Sequence, residues 1–460
     1  MTAVSGISSE SVPPDWGPRE VPSTALLTDH YELTMLRAAR KAGTADRRCV
    51  FEMFGRRLPE GRRYGVVAGV GRALGAVRQF RFDSTAIQFL CDRGIVDSDT
   101  ADWLSDYRFE GDIWGYPEGE IYFPSSPIVI VESSFAHGVV LETLLLSIYN
   151  HDSAIASAGS RMTVVAGDRP CLEMGSRRTQ ELAAVAAARA AYIVGFSGTS
   201  NLEAGRRYGV PTIGTSAHAF TLLHATERDA FEAQIAVLGE QTTLLVDTYD
   251  VFDAVRTGVA LTDGRLGAVR LDSGDLGLLA SQVRELLDSL GATHTKIIVT
   301  SDLDEYAIAA LATAPVDRYG VGTALVTGSG HPTCGFVYKL VARAEVDGAD
   351  APLVPVAKKS ADKISIGGRK HALRRLSDDG VAEAEVVGIG VRSEPDRNDR
   401  DLLVQLVQSG EIIGEEPLDV ARDRHRRVRA ELPPEALMMS RGEPVIETVY
   451  VNENNGGDRA

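Results

Sequence analysis

Four cysteines in 460 residues is few, and Cys49, Cys91, Cys171 and Cys334 fall in no metal-ligand or redox spacing. Four scattered cysteines suit a reducing cytoplasm, which is the expected setting. Long apolar runs are missing too: nothing reaches the ~18 residues that a membrane helix needs. The strongest stretch, 139–149, is interrupted by Glu142. The N-terminus lacks the basic-then-apolar order of a secretory signal. No Gly-Lys pair occurs, so a Walker A loop is absent, and 69–75 spaces its glycines one residue too widely for a dinucleotide fingerprint. Positive charge is short: 48 Lys and Arg stand against 64 Asp and Glu, a net charge of −16. That balance argues against a general nucleic-acid or anionic-membrane binder. An anionic ligand would need locally concentrated arginines or a divalent metal.

What is present is a soluble globular composition, 44% hydrophobic and 24% charged, in a chain too long for one ordinary core. Residues 1–23 are rich in Ser, Pro and Glu and read as a disordered lead-in. Over 24–138 a helix is expected from Thr28-Asp29, a strand over 49–54, four arginines in the turn Gly55 to Arg63, and short Gly- and Pro-punctuated strands over 109–132. These suggest an α+β, sandwich-like domain. An apolar helix is expected over 139–149.

Over 139–345 helical and strand patterns alternate, as in βα units around a parallel sheet. Six apolar segments, 191–194, 211–213, 243–246, 267–270, 296–299 and 319–321, each run into small, hydroxyl or carboxylate residues. In a (β/α) barrel all such ends meet on one face, whereas an open doubly wound sheet gathers only two or three. A barrel is therefore expected. The last segment, 346–460, is mixed. It holds a basic stretch with Lys359 and Lys363, and strands near 386–391 and 402–406 that should return to the first domain.

The central stretch is Gly209-Val-Pro-Thr-Ile-Gly-Thr-Ser-Ala-His218, read as a short strand and a small-residue loop ending in histidine. A satisfied histidine at a strand end is the commoner outcome for such a residue taken alone. Its company changes that. Arg270 and Asp272 place a cation and an anion at one strand mouth, with Ser273 or Asp275 available to cap the next helix. Gly322-Thr323 and Gly328-Ser-Gly330 can form a backbone nest for phosphate, and Arg177-Arg178 can bind carboxylate or phosphate. The residues alone lead to an anion-binding pocket with a histidine, suited to a phosphorylated sugar or a small acid.

Leu27-Thr-Asp-His-Tyr31-Glu-Leu-Thr-Met35, Phe51-Glu-Met-Phe54, Met174-Gly-Ser-Arg-Arg178, Gly198-Thr-Ser-Asn201, Gly214-Thr-Ser-Ala-His218, Asp272-Ser-Gly-Asp275 and Gly322-Thr323 occur in an order that resembles the nicotinate phosphoribosyltransferase family. The resemblance spans roughly 24–370. It implies an irregular barrel of the nicotinate/quinolinate phosphoribosyltransferase type, with a sandwich-like domain built from both chain ends. It also implies transfer of phosphoribosyl from phosphoribosyl pyrophosphate to nicotinate, in NAD salvage. ATP hydrolysis would be coupled through a phosphohistidine at His218, with Mg2+ as the metal and Asp302 as a weaker metal or ribose contact. By the same resemblance Tyr31 stacks on the pyridine ring across a homodimer. Arg177, Thr215 and Arg270 surround nicotinate, Gly322 and Thr323 cradle the 5′-phosphate, and Asp272 supports the transition state. Lys359 and Lys363 are candidates for pyrophosphate.

Ser200 occupies a place where the sister family acting on nicotinamide has an aspartate, and no carboxylate stands anywhere in 198–201. That favours the acid over the amide. His30, Glu32 and Met174 depart from the family pattern. The alternatives are a nicotinamide or quinolinate phosphoribosyltransferase, or a silent barrel acting as a binding protein.

Overall fold

The computed structural model describes residues 23–346, 348, 351–358, 365–396 and 398–452. Residues 1–22 of the expected lead-in, residues 453–460, Lys359 and Lys363 lie outside these residues.

Arg48–Gly55 is buried at every position after its first, so an alternating pattern is absent from its sequence. The reason is its place. It lies inside a seven-stranded antiparallel sheet, between Phe336–Ala344 and Val129–Ser134. The order across this sheet is Leu353–Pro355, Phe336–Ala344, Arg48–Gly55, Val129–Ser134, Gly111–Gly115, Val404–Gln408, Glu411–Ile412. The one carboxylate within Arg48–Gly55, Glu52, is buried and accepts a hydrogen bond from the Lys370 ammonium. Helices His30–Lys41, Val70–Arg78, Ser84–Asp92 and Ser98–Ser105 contribute to the same core. In His30–Lys41, Leu33 and Leu36 face inward and Tyr31 outward.

Helix Glu142–Ala166 connects this core to the next, and at 25 residues it is about 37 Å long. Its C-terminal two-thirds is buried nearly all round and rich in Ala, Ser and Gly, which lets neighbours approach closely. Ala154 packs in the first core, while Ile155 and Ala156 pack in the second. Among the described residues no helix is long and apolar enough to cross a membrane.

The second core surrounds six parallel strands in the order Gly198–Thr199, Cys171–Glu173, Arg318–Val321, Lys296–Val299, Ala268–Leu271, Thr243–Leu245. This is an α/β half-barrel. Thr212 adds one parallel bridge to Thr199 at one end, and among the described residues no ladder joins that end to Thr243–Leu245. Four of the six expected strands are present. The segment 191–194 is instead the end of helix Glu181–Ile193, where seven alanines favour helix and burial on all sides removes the periodicity. The segment 211–213 shrinks to the single Thr212 bridge. Cys171–Glu173 and Gly198–Thr199, too short to read as strands, take the vacant places. The apolar helix expected over 139–149 divides into Phe135–Val139 and the long helix from Glu142.

A candidate active site at the strand ends

Parallel strands deliver their C-terminal ends to one edge. At that edge lies a cavity of about 550 Å³. Eight of the ten residues singled out in the sequence line it: Arg177, Ser200, Thr215, Arg270, Asp272, Asp302, Gly322 and Thr323. They come from several loops between Arg177 and Thr323, so the fold alone brings them together.

Arg270 leaves the Ala268–Leu271 strand toward the cavity. Its Nη1 donates to Thr215 Oγ1 at 2.5 Å and its Nη2 to the Ser216 carbonyl at 2.9 Å. Among the described residues the buried Nε–H has no acceptor. Burial, more than the neighbouring Arg177, pulls its pKa below the usual arginine value, although Asp272 and Asp247 act the other way. A cation held in place with donor capacity left over is suited to a carboxylate or phosphate. Arg177 and Arg178 stand exposed on the turn Ser176–Arg178.

Asp272 Oδ1 accepts from the Thr300 hydroxyl. Asp275 caps helix Leu276–Ser289 by accepting from the Leu278 N–H at 3.2 Å, while Ser273 turns to Asp247 instead. Gly320 is needed for close approach, since a Cβ there would lie 2.5 Å from Thr300 Cγ2 and 2.8 Å from Met174 Sδ. Ser301 holds φ at 101°, strained backbone in the loop that presents Asp302.

His218 does not line the cavity; it begins helix His218–Leu223 directly after Ala217, which does. Its Nδ1 is 3.1 Å from Thr248 Oγ1 and its Nε2 4.0 Å from Asp247 Oδ1. The Asp247 side chain is only 3% exposed. Its Oδ2 accepts from the Asp272 N–H at 3.0 Å and the Ser273 hydroxyl at 2.6 Å. Asp247 therefore joins the histidine to the Asp272 turn, a link missing from the sequence reading. The only signal was a strand that ends in Asp-Thr.

Three expectations separate from the cavity. Gly328-Ser-Gly330 is no nest for a ligand there: Arg62 donates to the Gly328 carbonyl at 2.5 Å, and Ser329 donates to Glu305 at 2.7 Å. Arg56, Arg57 and Arg62 line a different cavity. Tyr31 lies 45% exposed beside Glu142 and Glu32, and burial and those carboxylates push its phenol up to about 12. Beneath it Glu32 is fully buried and accepts from Thr143 N–H at 2.9 Å, the Thr143 hydroxyl and the Thr28 hydroxyl. Among the described residues no three His, Cys, Asp or Glu side chains converge as a metal cluster.

The chain matches two family models: the nicotinate phosphoribosyltransferase N-terminal domain over residues 26–150, and the nicotinate phosphoribosyltransferase family over 170–376. It is 55% identical over 435 residues to a nicotinate phosphoribosyltransferase of Mycobacterium tuberculosis, covering 92% of this chain and 94% of the relative. To the human nicotinate phosphoribosyltransferase it is 32% identical over 428 residues, with 77% of each chain covered. The crystal structure of human nicotinic acid phosphoribosyltransferase superposes with a TM-score of 0.81 at 25% identity, covering 93% of this chain and 98% of that one. By sequence and by fold, the chain belongs to the nicotinate phosphoribosyltransferase family.

Proposed function

We propose that the cavity at the parallel strand ends is where this enzyme joins nicotinate to the phosphoribosyl group of phosphoribosyl pyrophosphate, releasing pyrophosphate and forming nicotinate mononucleotide for NAD salvage. The observation that carries this assignment is Arg270: a positioned guanidinium whose buried Nε–H has no acceptor among the described residues, facing the same cavity as Asp272.

In this reading Arg270, Arg177, Thr215 and Ser200 hold the nicotinate carboxylate, and the lack of a carboxylate near Ser200 favours acid over amide. Gly322 and Thr323 receive the 5′-phosphate at the start of helix Thr323–Val326. As the bond from the anomeric carbon to pyrophosphate lengthens, positive charge grows on the ribose. Asp272, held by Thr300 and by the Asp247 contact to its backbone, is placed to stabilise that charge. The ring nitrogen of nicotinate then forms the new bond.

His218 is read as the residue that accepts a phosphoryl group from ATP. In the tautomer whose Nδ1–H donates to Thr248, the Nε2 lone pair is free to attack, and Asp247 stabilises positive charge on the ring. Oxygen donors dominate here, which suits a hard divalent cation such as Mg2+. Among the described residues no protein cluster would enclose it, so the ion would be held by Asp302 together with substrate oxygens and water. When bound, Mg2+ neutralises charge on the departing pyrophosphate.

The finer architecture, an irregular (β/α) barrel plus a sandwich-like domain from both chain ends, belongs to the same proposal. The pairing of Val404–Gln408 with Gly111–Gly115 supports it. So does a homodimer, because Tyr31 is half exposed and away from its own chain's cavity. A cytoplasmic setting accords with four free thiols. The deciding assay measures mononucleotide from nicotinate and phosphoribosyl pyrophosphate with magnesium, with and without ATP, beside a nicotinamide reaction. Product from nicotinate alone, raised by ATP, is expected. Equal product from nicotinamide would overturn the base assignment, and indifference to ATP would overturn the role of His218.

A further inference from the structure

Behind the cavity wall lies a carboxyl group that the mechanism above does not use. Glu173 ends the Cys171–Glu173 strand with no exposed surface and does not line the cavity. One oxygen accepts from the Gly175 N–H at 2.5 Å and the other from the Thr199 hydroxyl. Thr199 Oγ1 in turn accepts from the Asn201 N–H at 2.9 Å, and the Asn201 side chain donates to Ser176 Oγ at 3.0 Å. Ser176 follows Gly175, so the bonds close a ring through Glu173, Gly175, Ser176, Asn201 and Thr199.

Two recognition loops hang from that ring. One is the Ser176–Arg178 turn with Arg177, and the other carries Ser200, whose N–H donates to the Glu173 carbonyl at 2.9 Å. The ring also fixes the distance to a third element. A Cβ on Gly175 would lie 2.2 Å from Val326 Cγ1, 3.0 Å from the Gly322 carbonyl and 3.1 Å from Glu173 Oε1. Gly175 is thus wedged between the carboxyl group and the expected phosphate cradle.

We infer that Glu173 is a positioning residue for substrate recognition: acting through Gly175 and Thr199, it holds Arg177, Ser200 and Gly322 at the spacing that nicotinate and the 5′-phosphate require. Among the described residues it has no cationic partner, whereas Glu52, Glu118, Glu305 and Glu385 are paired with Lys or Arg; it shares that with Glu32, but Glu173 alone of the two sits between the loops that line the cavity. Burial raises its pKa, in keeping with a group held by neutral donors. The inference rests on the assignment of Arg177 and Ser200 to the substrate.

The test compares steady-state constants of full-length E173A, E173Q, T199V and R177A. A glutamine keeps the ring, since its oxygen accepts from Gly175 and its amide donates to Thr199, so E173Q should stay within about threefold of wild type. E173A should raise KM for nicotinate about tenfold to a hundredfold, with a smaller change in kcat. T199V, which deletes one hydroxyl, should move KM the same way and decides the matter if E173A does not fold. Wild-type KM in folded E173A, or in T199V, overturns the inference. Should R177A also leave KM unchanged, the substrate assignment itself has failed; a raised KM in R177A alone sinks only the role of Glu173.

Discussion

At Arg270 two nitrogens fix the side chain's orientation on Thr215 and Ser216, and the third has no acceptor among the described residues. A lysine there keeps the charge and loses the fork. R270K should raise KM for nicotinate by about tenfold to a hundredfold, equivalent to roughly 1.4–2.8 kcal/mol, checked by initial rates at varied nicotinate. His218 makes a separable contribution. H218A should abolish ATP stimulation while leaving slow ATP-independent transfer, read as ATP hydrolysed per mononucleotide formed. Arg270, Asp272 and Ser200 were recognisable in the sequence because each sits in a short motif at the end of an apolar run. Asp247 was not, because its partners His218 and Asp272 lie 29 and 25 residues away and only the fold reveals the contact.

Elements divide according to whether their signal is local. Helix Leu276–Ser289 could be read from its cap, which Asp275 supplies. D275A removes that cap and should cost about 1 kcal/mol in thermal or denaturant unfolding without moving KM. The alanine run in Glu181–Ile193 misleads because burial on every side leaves no polar face to mark the period. The last long helix, Leu418–Ala430, carries a different kind of information. Its His425 is fully enclosed in a chain in which Nε2 lies 3.0 Å from Ser160 Oγ, Ser160 meets Tyr64, and Nδ1 lies 3.1 Å from the Gly119 carbonyl. Burial, with Arg429 next, lowers its pKa from 6.5 to about 3. The unfolded chain therefore binds a proton below pH 6.5 that the folded chain refuses until about 3. Stability from this group is complete above pH 6.5 and falls through that window, by about 2 kcal/mol at pH 5. Unfolding of wild type and H425N at pH 7 and pH 5 should show the wild type losing more.

On the scale of the whole molecule, the separation of Tyr31 from its own cavity makes a prediction about copies. Y31A and H218A should each be defective in ATP-stimulated synthesis. Mixed and reassembled one to one, they should recover about a quarter of wild-type activity, since half the dimers are mixed and each of those holds one intact site. No recovery, with mixed dimers shown by differential tags, would mean that each chain supplies its own ring contact. The parallel unit could be anticipated from alternating patterns, but its open ladder could not, because strands of two and three residues carry no period.

The order of the seven-stranded sheet has a consequence for how the protein is made. Four of its seven strands, Phe336–Ala344, Leu353–Pro355, Val404–Gln408 and Glu411–Ile412, lie more than 200 residues after Val129–Ser134. On the ribosome Arg48–Gly55, Gly111–Gly115 and Val129–Ser134 emerge early with both outer edges uncovered. They wait for most of the message to be translated before those edges are closed. The nascent chain thus spends most of its synthesis with an open sheet, the state most exposed to mispairing and most in need of a chaperone's shelter.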